Sequence, residues 1–289
     1  MPSPEHLSQS NERALKALIA WWADAGIELD APIVRPRAER AAAAPAKTQA
    51  SHSREPVYDS PAPRAATAAA AKAAGFGDSA GSGPSAREAA AKADDIEALR
   101  KIIEDFEGCT LKRTARNTVF SRGNPAAKIM IVGEAPGRDE DERGIPFVGR
   151  SGQLLDKMFA SIGLGEDDLY ISNIVNWRPP GNRNPTQEEV AVCLPLIERH
   201  IALAKPDVLI LTGGVAAQSL LRAEAGITKL RGKWTEYAVK DAGGEASDNN
   251  ISCLPIFHPS YLLRQPAHKR LAWADLLALK AHMSEIAAE

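Results

Sequence analysis

AKIMIVG at 127–133 runs directly into EAPGRDEDERGIPFVGRSGQLLD at 134–156. The first stretch is short, apolar, rich in β-branched residues and closed by a glycine, as in a buried strand. The second begins as a Gly/Pro-rich loop. It then takes up the helical period of SGQLLDKMFASIG (151–163), with Ser151 as the expected N-cap. The same alternation recurs along the chain. LYISN (169–173), DVLILTG (207–213) and LPIFHP (254–259) read as three further strands. IEALRKIIEDF (96–106), VAAQSLLRAE (215–224) and HKRLAWADLLALKAHM (268–283) read as helices. TQEEVAVCLPLIERHIALA (186–204) is another, opened by a capping box of Thr186 with Glu189 three residues on. Strands alternating with helices predict an α/β fold, a three-layer sandwich whose central, mainly parallel four-stranded sheet is flanked by helices.

Upstream the pattern is different. Residues 11–29 predict one amphipathic helix, with Leu15, Leu18, Ile19 and Trp22 on one face and Gly26 as its stop. Residues 31–92 are rich in Ala, Pro, Ser and charge, with no sustained apolar period. They read as a flexible linker whose alanine runs form at most transient helix. The expected organisation is an N-terminal helix within 1–30, a linker over 31–92 and a globular domain over 93–289.

The 289 residues carry a formal net charge of −2 and are 44% hydrophobic. That balance excludes a strongly basic nucleic-acid coat, so any contact with DNA must come from a local patch. Cys109, Cys193 and Cys253 form no CxxC pair, which argues against a disulfide scaffold and for a reducing, cytoplasmic setting. No apolar run approaches the roughly 18 residues of a membrane span, and no cationic segment precedes an apolar core at the N-terminus.

In open α/β sheets ligands sit outside the carboxyl ends of the strands. The first predicted strand ends in Gly133-Glu134-Ala135-Pro136-Gly137, the second in Asn173, and the fourth in His258-Pro259-Ser260. A carboxylate, an amide and an imidazole would thus converge on one rim. Taken singly, each is explained as well by a cap or a turn.

GEAPGRDEDERGIPFVGRSGQLLD (133–156), YISNIVNWRPPGNRNPT (170–186) and HPSYLLR (258–264) stand in this order, with NTVFSRGNP (117–125) ahead of the first strand. Together they resemble the motifs of family 4 uracil-DNA glycosylases, over roughly residues 97–284. The resemblance implies an enzyme that flips uracil out of DNA, hydrolyses its N-glycosidic bond and leaves an abasic site. Gly133, Ala135, Phe147, Asn173 and His258 would hold the base, Phe147 by stacking and Asn173 by reading its Watson–Crick edge. His258 would bond the O2 that gains charge as the base departs. Glu134, Glu140 and Asp141 are candidates to orient water or stabilise the sugar cation, with Glu134 alternatively excluding thymine. Asp139 and Glu142 read as a solvated acidic loop. Ser260, Leu262, Leu263 and Arg264 match the loop that wedges into DNA. Arg264, Lys269 and Arg270 are candidates for phosphate, with Arg178 and Arg183 as further ones.

Members of that family hold an iron–sulfur cluster on four cysteines. The matching positions here are Phe106, Cys109, Trp177 and Cys193. Two aromatic residues therefore stand where two ligands belong. The expectation is no cluster, no metal and no other cofactor. A relative that captures DNA covalently uses a histidine in a loop after the third strand. No histidine lies between Gly213 and Phe257, so covalent capture is not expected. The expected partner is uracil-containing DNA, bound by a monomer. The alternative is a sensor that binds uracil or abasic sites with little turnover. An unrelated nucleotide-binding α/β protein would need a Walker-type or GxGxxG loop, which the sequence lacks.

Overall fold

The computed structural model describes residues 85–286, together with Leu15, Lys16 and Ile19. Three strands are buried along their whole length: β2 (Ile129–Gly133), β3 (Leu169–Asn173) and β4 (Val208–Thr212). With β6 (Ala246–Ile256) they form a parallel core, which is the sheet expected from the sequence. Two antiparallel edge strands extend it to six: β1 (Arg122–Gly123) on β3 and β5 (Thr235–Lys240) on β6. The order is β1-β3-β2-β4-β6-β5.

Alternation along the strands sends side chains to two cores. Met130, Val132, Tyr170, Leu209 and Leu211 face one side. Helices α1 (Ala86–Ala90), α2 (Ile96–Asp105), α5 (Gln187–Ala204) and α6 (Gly214–Leu221) supply buried residues there. Ile129, Ile131, Ile171, Ile210 and Leu254 face the other side, with buried residues from α4 (Arg150–Ala160), α8 (Pro259–Arg264) and α9 (Lys269–Ile286). Two short helices, α3 (Arg138–Arg143) and α7 (Ile227–Leu230), lie in the connections. None of the described helices is long and apolar enough to cross a membrane.

The capping box predicted for α5 forms: Thr186 Oγ1 accepts from Glu189 N at 3.2 Å, and Glu189 accepts from Thr186 N at 2.7 Å. Ser151 is not an N-cap. Helix α4 begins one residue earlier, and its N-cap is Gly149. Glu140 Oε1, from outside the helix, accepts from Val148 N and Gly149 N at 3.0 and 2.8 Å and so holds the entry to the helix, whose first turn has no side-chain cap.

Packed structure begins by Ser85, ahead of residue 93. Ser85 and Glu88 cap α1 reciprocally, and Ala86, Ala89, Ala90 and Ala93 are buried in the first core. Arg87 reaches Glu198 at 3.1 Å, whose side chain is only 5% exposed. Of the helix predicted at 11–29, Leu15, Lys16 and Ile19 are helical, with Leu15 and Ile19 exposed. The rest of that helix, and residues 31–84 of the predicted linker, lie outside the described residues.

These alanines set a boundary that truncation tests. The reference is a chain starting at Ser82. One starting at Asp94 loses four buried methyls, worth roughly 3 kcal/mol at about 0.8 kcal/mol each, and leaves Glu198 unpaired. Its melting temperature should fall by roughly 6–12 °C. Equal thermal unfolding of the two truncations would refute the boundary.

Candidate active site

Parallel pairing of β2 with β3 places Gly133 directly opposite Asn173. The ladder continues past the strand ends, with Ile174 N donating to Gly133 O at 2.9 Å and Val175 N to Glu134 O at 3.1 Å. The Asn173 side chain is thereby fixed at the rim, only 2% exposed. Gly133 leaves room for what lies over it. A Cβ there would stand 2.4 Å from Asn173 Oδ1 and 2.6 Å from Phe147 Cζ. The ring of Phe147 therefore lies against the end of the strand, beside the amide.

Phe147 has φ +54°, which a bulky side chain adopts only when its surroundings over-determine it. Here they do. Glu140 ties down the next two backbone N–H groups and accepts a third bond from Gly137 N at 3.1 Å. Helix α4 packs against the Phe147 carbonyl so closely that a Cβ on Gly152 would lie 1.7 Å from the oxygen. On its open side the Phe147 ring faces the imidazole of His258, with centroids 5.7 Å apart.

His258 is the N-cap of α8. Its Nδ1 accepts from Ser260 N at 3.1 Å and lies 2.8 Å from Ser260 Oγ. A backbone N–H only donates, so Nδ1 carries no proton and a neutral His258 holds its proton on Nε2. Burial, and then the charge of Arg264, push its pKa down to about 4. The ring is therefore neutral at neutral pH, with Nε2–H left as a donor.

Glu134, Phe147, Asn173 and His258 line one cavity of about 660 Å³. Burial raises the Glu134 carboxyl above its ordinary range, and no hydrogen bond or ion pair offsets this among the described residues. Ala135, Glu140, Arg183, Ser260 and Arg264 also line the cavity. Asp141 does not: it is buried, and its Oδ1 accepts from Arg116 N at 2.8 Å and Asn117 N at 3.3 Å. Arg178 bonds Asn182 Oδ1 at 2.6 Å and lies 3.9 Å from Asp141. Arg183 makes a two-point pair with Glu189 at 2.7 and 2.8 Å. Leu262 is fully buried, whereas Leu263 is partly exposed and Arg264 exposed. Arg150 and Tyr261, which the sequence reading did not single out, also line the cavity.

The sequence profile described as "Uracil DNA glycosylase superfamily" matches residues 120–277, more than half of the chain. The chain belongs to this superfamily. It is 40% identical to the type-4 uracil-DNA glycosylase of Archaeoglobus fulgidus, over 59% of this chain and 86% of the relative. It is 36% identical to that of Pyrobaculum aerophilum, over 60% and 87%. It is 34% identical to that of Thermotoga maritima, over 66% and 95%. By family it is a uracil-DNA glycosylase, a hydrolase of base excision repair.

On the other side of the sheet, the glycosylase brings together the four positions where its resemblance implies cluster ligands. Phe106 and Trp177 are buried and stacked, centroids 6.3 Å apart. Cys193 Sγ donates to Cys109 Sγ at 3.8 Å, and both cysteines are buried. Trp177 Nε1 donates to Thr118 Oγ1 at 3.0 Å, so the indole is satisfied as well as packed. Two thiols and two rings do not fit a cluster that needs four thiolates. No three His, Cys, Asp or Glu side chains among the described residues gather as a metal site.

The contact between Gly152 and Phe147 can be tested directly. Gly152→Ala must displace the Phe147 carbonyl and with it the ring. Base–aromatic stacking is worth roughly 1–3 kcal/mol, so single-turnover excision should slow roughly 10- to 100-fold while the protein stays folded. A rate within twofold of wild type would show that the ring keeps its place without the glycine.

Proposed function

We propose that the cavity receives deoxyuridine flipped out of DNA and that these side chains divide the hydrolysis of its N-glycosidic bond. The observation that carries the reading is the convergence of Phe147, Asn173 and the Nε2–H face of His258 on one cavity. Phe147 offers a flat face for the base. The Asn173 amide donates to O4 and accepts from N3–H of uracil. Cytosine presents the reverse pattern and would leave buried polar groups unpaired.

When the N1–C1′ bond breaks, its electron pair leaves with the base and the charge spreads to O2. The Nε2–H of His258 donates to that oxygen, and its partner Ser260 holds the ring in the required tautomer. Water then attacks C1′, and its proton passes to Glu134, the carboxylate left without a partner at the rim. Glu140 spends both oxygens on backbone N–H groups, and Asp141 spends Oδ1 on two of them with Oδ2 toward Arg178, so both act by holding the loops. Among the DNA-binding candidates, Arg264 and Ser260 line the cavity and Leu263 is partly exposed. Arg178, Arg183 and Leu262 serve the protein's own packing.

We further propose that the enzyme folds and works without an iron–sulfur cluster, because Phe106 and Trp177 fill the volume and supply no ligands. One chain provides every group of the site, which supports action as a monomer. Three buried thiols, none in a disulfide, support a reducing cytoplasmic setting.

The chemical roles predict a pH profile. Glu134 must be ionised, and its carboxyl is raised by burial. Single-turnover excision should therefore fall, as pH drops, above the ordinary carboxylate range and well before His258 titrates at about 4. His258→Ala should lower the rate roughly 10²- to 10³-fold and keep the acid limb. Asn173→Asp should lose either activity or the rejection of cytosine. A His258→Ala rate within a few fold of wild type, on an oligonucleotide cleaved by alkali after excision, would defeat the assignment. A stable shift of that oligonucleotide without cleavage would mark a sensor.

The cofactor claim has its own measurement. Purified protein should contain no stoichiometric iron and show no broad visible absorption. Trp177→Ala should cost roughly 3–5 kcal/mol in chemical denaturation. Iron at four per chain would overturn the claim.

A further inference from the structure

Resting on the reading of the cavity as a uracil site, we propose that Arg150 binds a backbone phosphate of the DNA beside the flipped nucleotide, with Arg264 holding the phosphate on the other side. Four arginines line the cavity: Arg138, Arg150, Arg183 and Arg264. Two are already engaged, Arg138 with Glu142 at 3.0 Å and Arg183 with Glu189. Arg150 and Arg264 are exposed and have no hydrogen-bond or ion-pair partner among the described residues.

Their places in the chain fit the role. Arg150 follows Phe147 by three residues and begins α4. Arg264 follows His258 by six and ends α8. These two helices pack against each other. Each of the two loops that hold the base thus leads to one unpaired guanidinium at the same opening. A nucleotide turned into the cavity carries one phosphodiester on its 5′ side and one on its 3′ side, and both must stay outside with the strand. With a net charge of −2, the chain has no general attraction for DNA. The anionic backbone must be met by local cations that are not already neutralised.

Because Arg150 is exposed, its replacement leaves the fold alone and isolates binding. The probe is a fluorescein-labelled single-stranded oligonucleotide with one 2′-fluoro-2′-deoxyuridine, whose glycosidic bond resists cleavage. Kd is measured against salt concentration for the full-length protein and for Arg150→Ala, Arg150→Lys, Arg264→Ala and the double alanine variant. Excision of ordinary deoxyuridine is followed in parallel. Arg150→Ala should raise Kd roughly 3- to 10-fold and flatten the slope of log Kd against log salt by about 0.7, the value for one phosphate on a single strand. Arg150→Lys should keep the wild-type slope, and the double variant should lose about twice the slope of either single one. An unchanged Kd and slope for Arg150→Ala would overturn the proposal. So would a loss of rate with Kd intact, which would place the guanidinium on the base instead. Failure of the wild-type enzyme to excise uracil would instead strike the reading of the cavity, a result separable from the salt slopes.

Discussion

Three backbone N–H groups, those of Gly137, Val148 and Gly149, converge on the carboxylate of Glu140. A loop that leaves a buried parallel strand must satisfy its polar backbone without a ladder, and here one side chain does so from the inside. The tie also sets direction. It holds the two N–H groups that follow Phe147, whose φ is positive, as far as the N-cap of α4. The helix is thereby pressed against the Phe147 carbonyl at Gly152. The Phe147 ring, Gly133 beside it and the amide of Asn173 take their relative places from that closure and from the β2–β3 register. An acidic residue in a pocket invites a chemical role. This one is bonded on both oxygens, whereas Glu134 nearby has burial and nothing to offset it.

Much of this was legible in the residue pattern, for physical reasons that can be named. Three of the four parallel strands, β2, β3 and β4, are short apolar runs buried along their whole length, so their signal does not depend on neighbours; β6 is buried only toward its end, and only that end, from Leu254, was legible. The rim residues were found because strand ends in such sheets are where ligands go, and because three long motifs resemble one family. The edge strands were not legible. Arg122–Gly123 is too short to show a period, and Thr235–Lys240 alternates on a half-exposed surface amid charges. The cap of α4 was misplaced on Ser151 because the N-cap is Gly149, which has no side chain to signal it and whose N–H is held by Glu140, nine residues earlier. Sequence spacing reveals local caps, not those that arrive through a loop.

The arginines teach the same point. Arg178 and Arg183 sit in a motif that resembles the family's and looked available for phosphate, but availability depends on partners. Asn182, Asp141 and Glu189 meet them in space. Arg150 looked like an ordinary first residue of a helix, and only the fold shows it bordering the cavity unpaired. For surface charges, what is already neutralised decides function more than what is present.

The stacked rings of Phe106 and Trp177 carry a consequence for how the enzyme comes into being. A fold completed by a bound group gains stability by mass action, in step with the free concentration of that group. On the reading given above, this face is closed by atoms the ribosome supplies, so its stability contains no such dependence. Maturation then ends with folding, with no delivery step between synthesis and repair. On that proposal, iron supply does not enter the enzyme's stability.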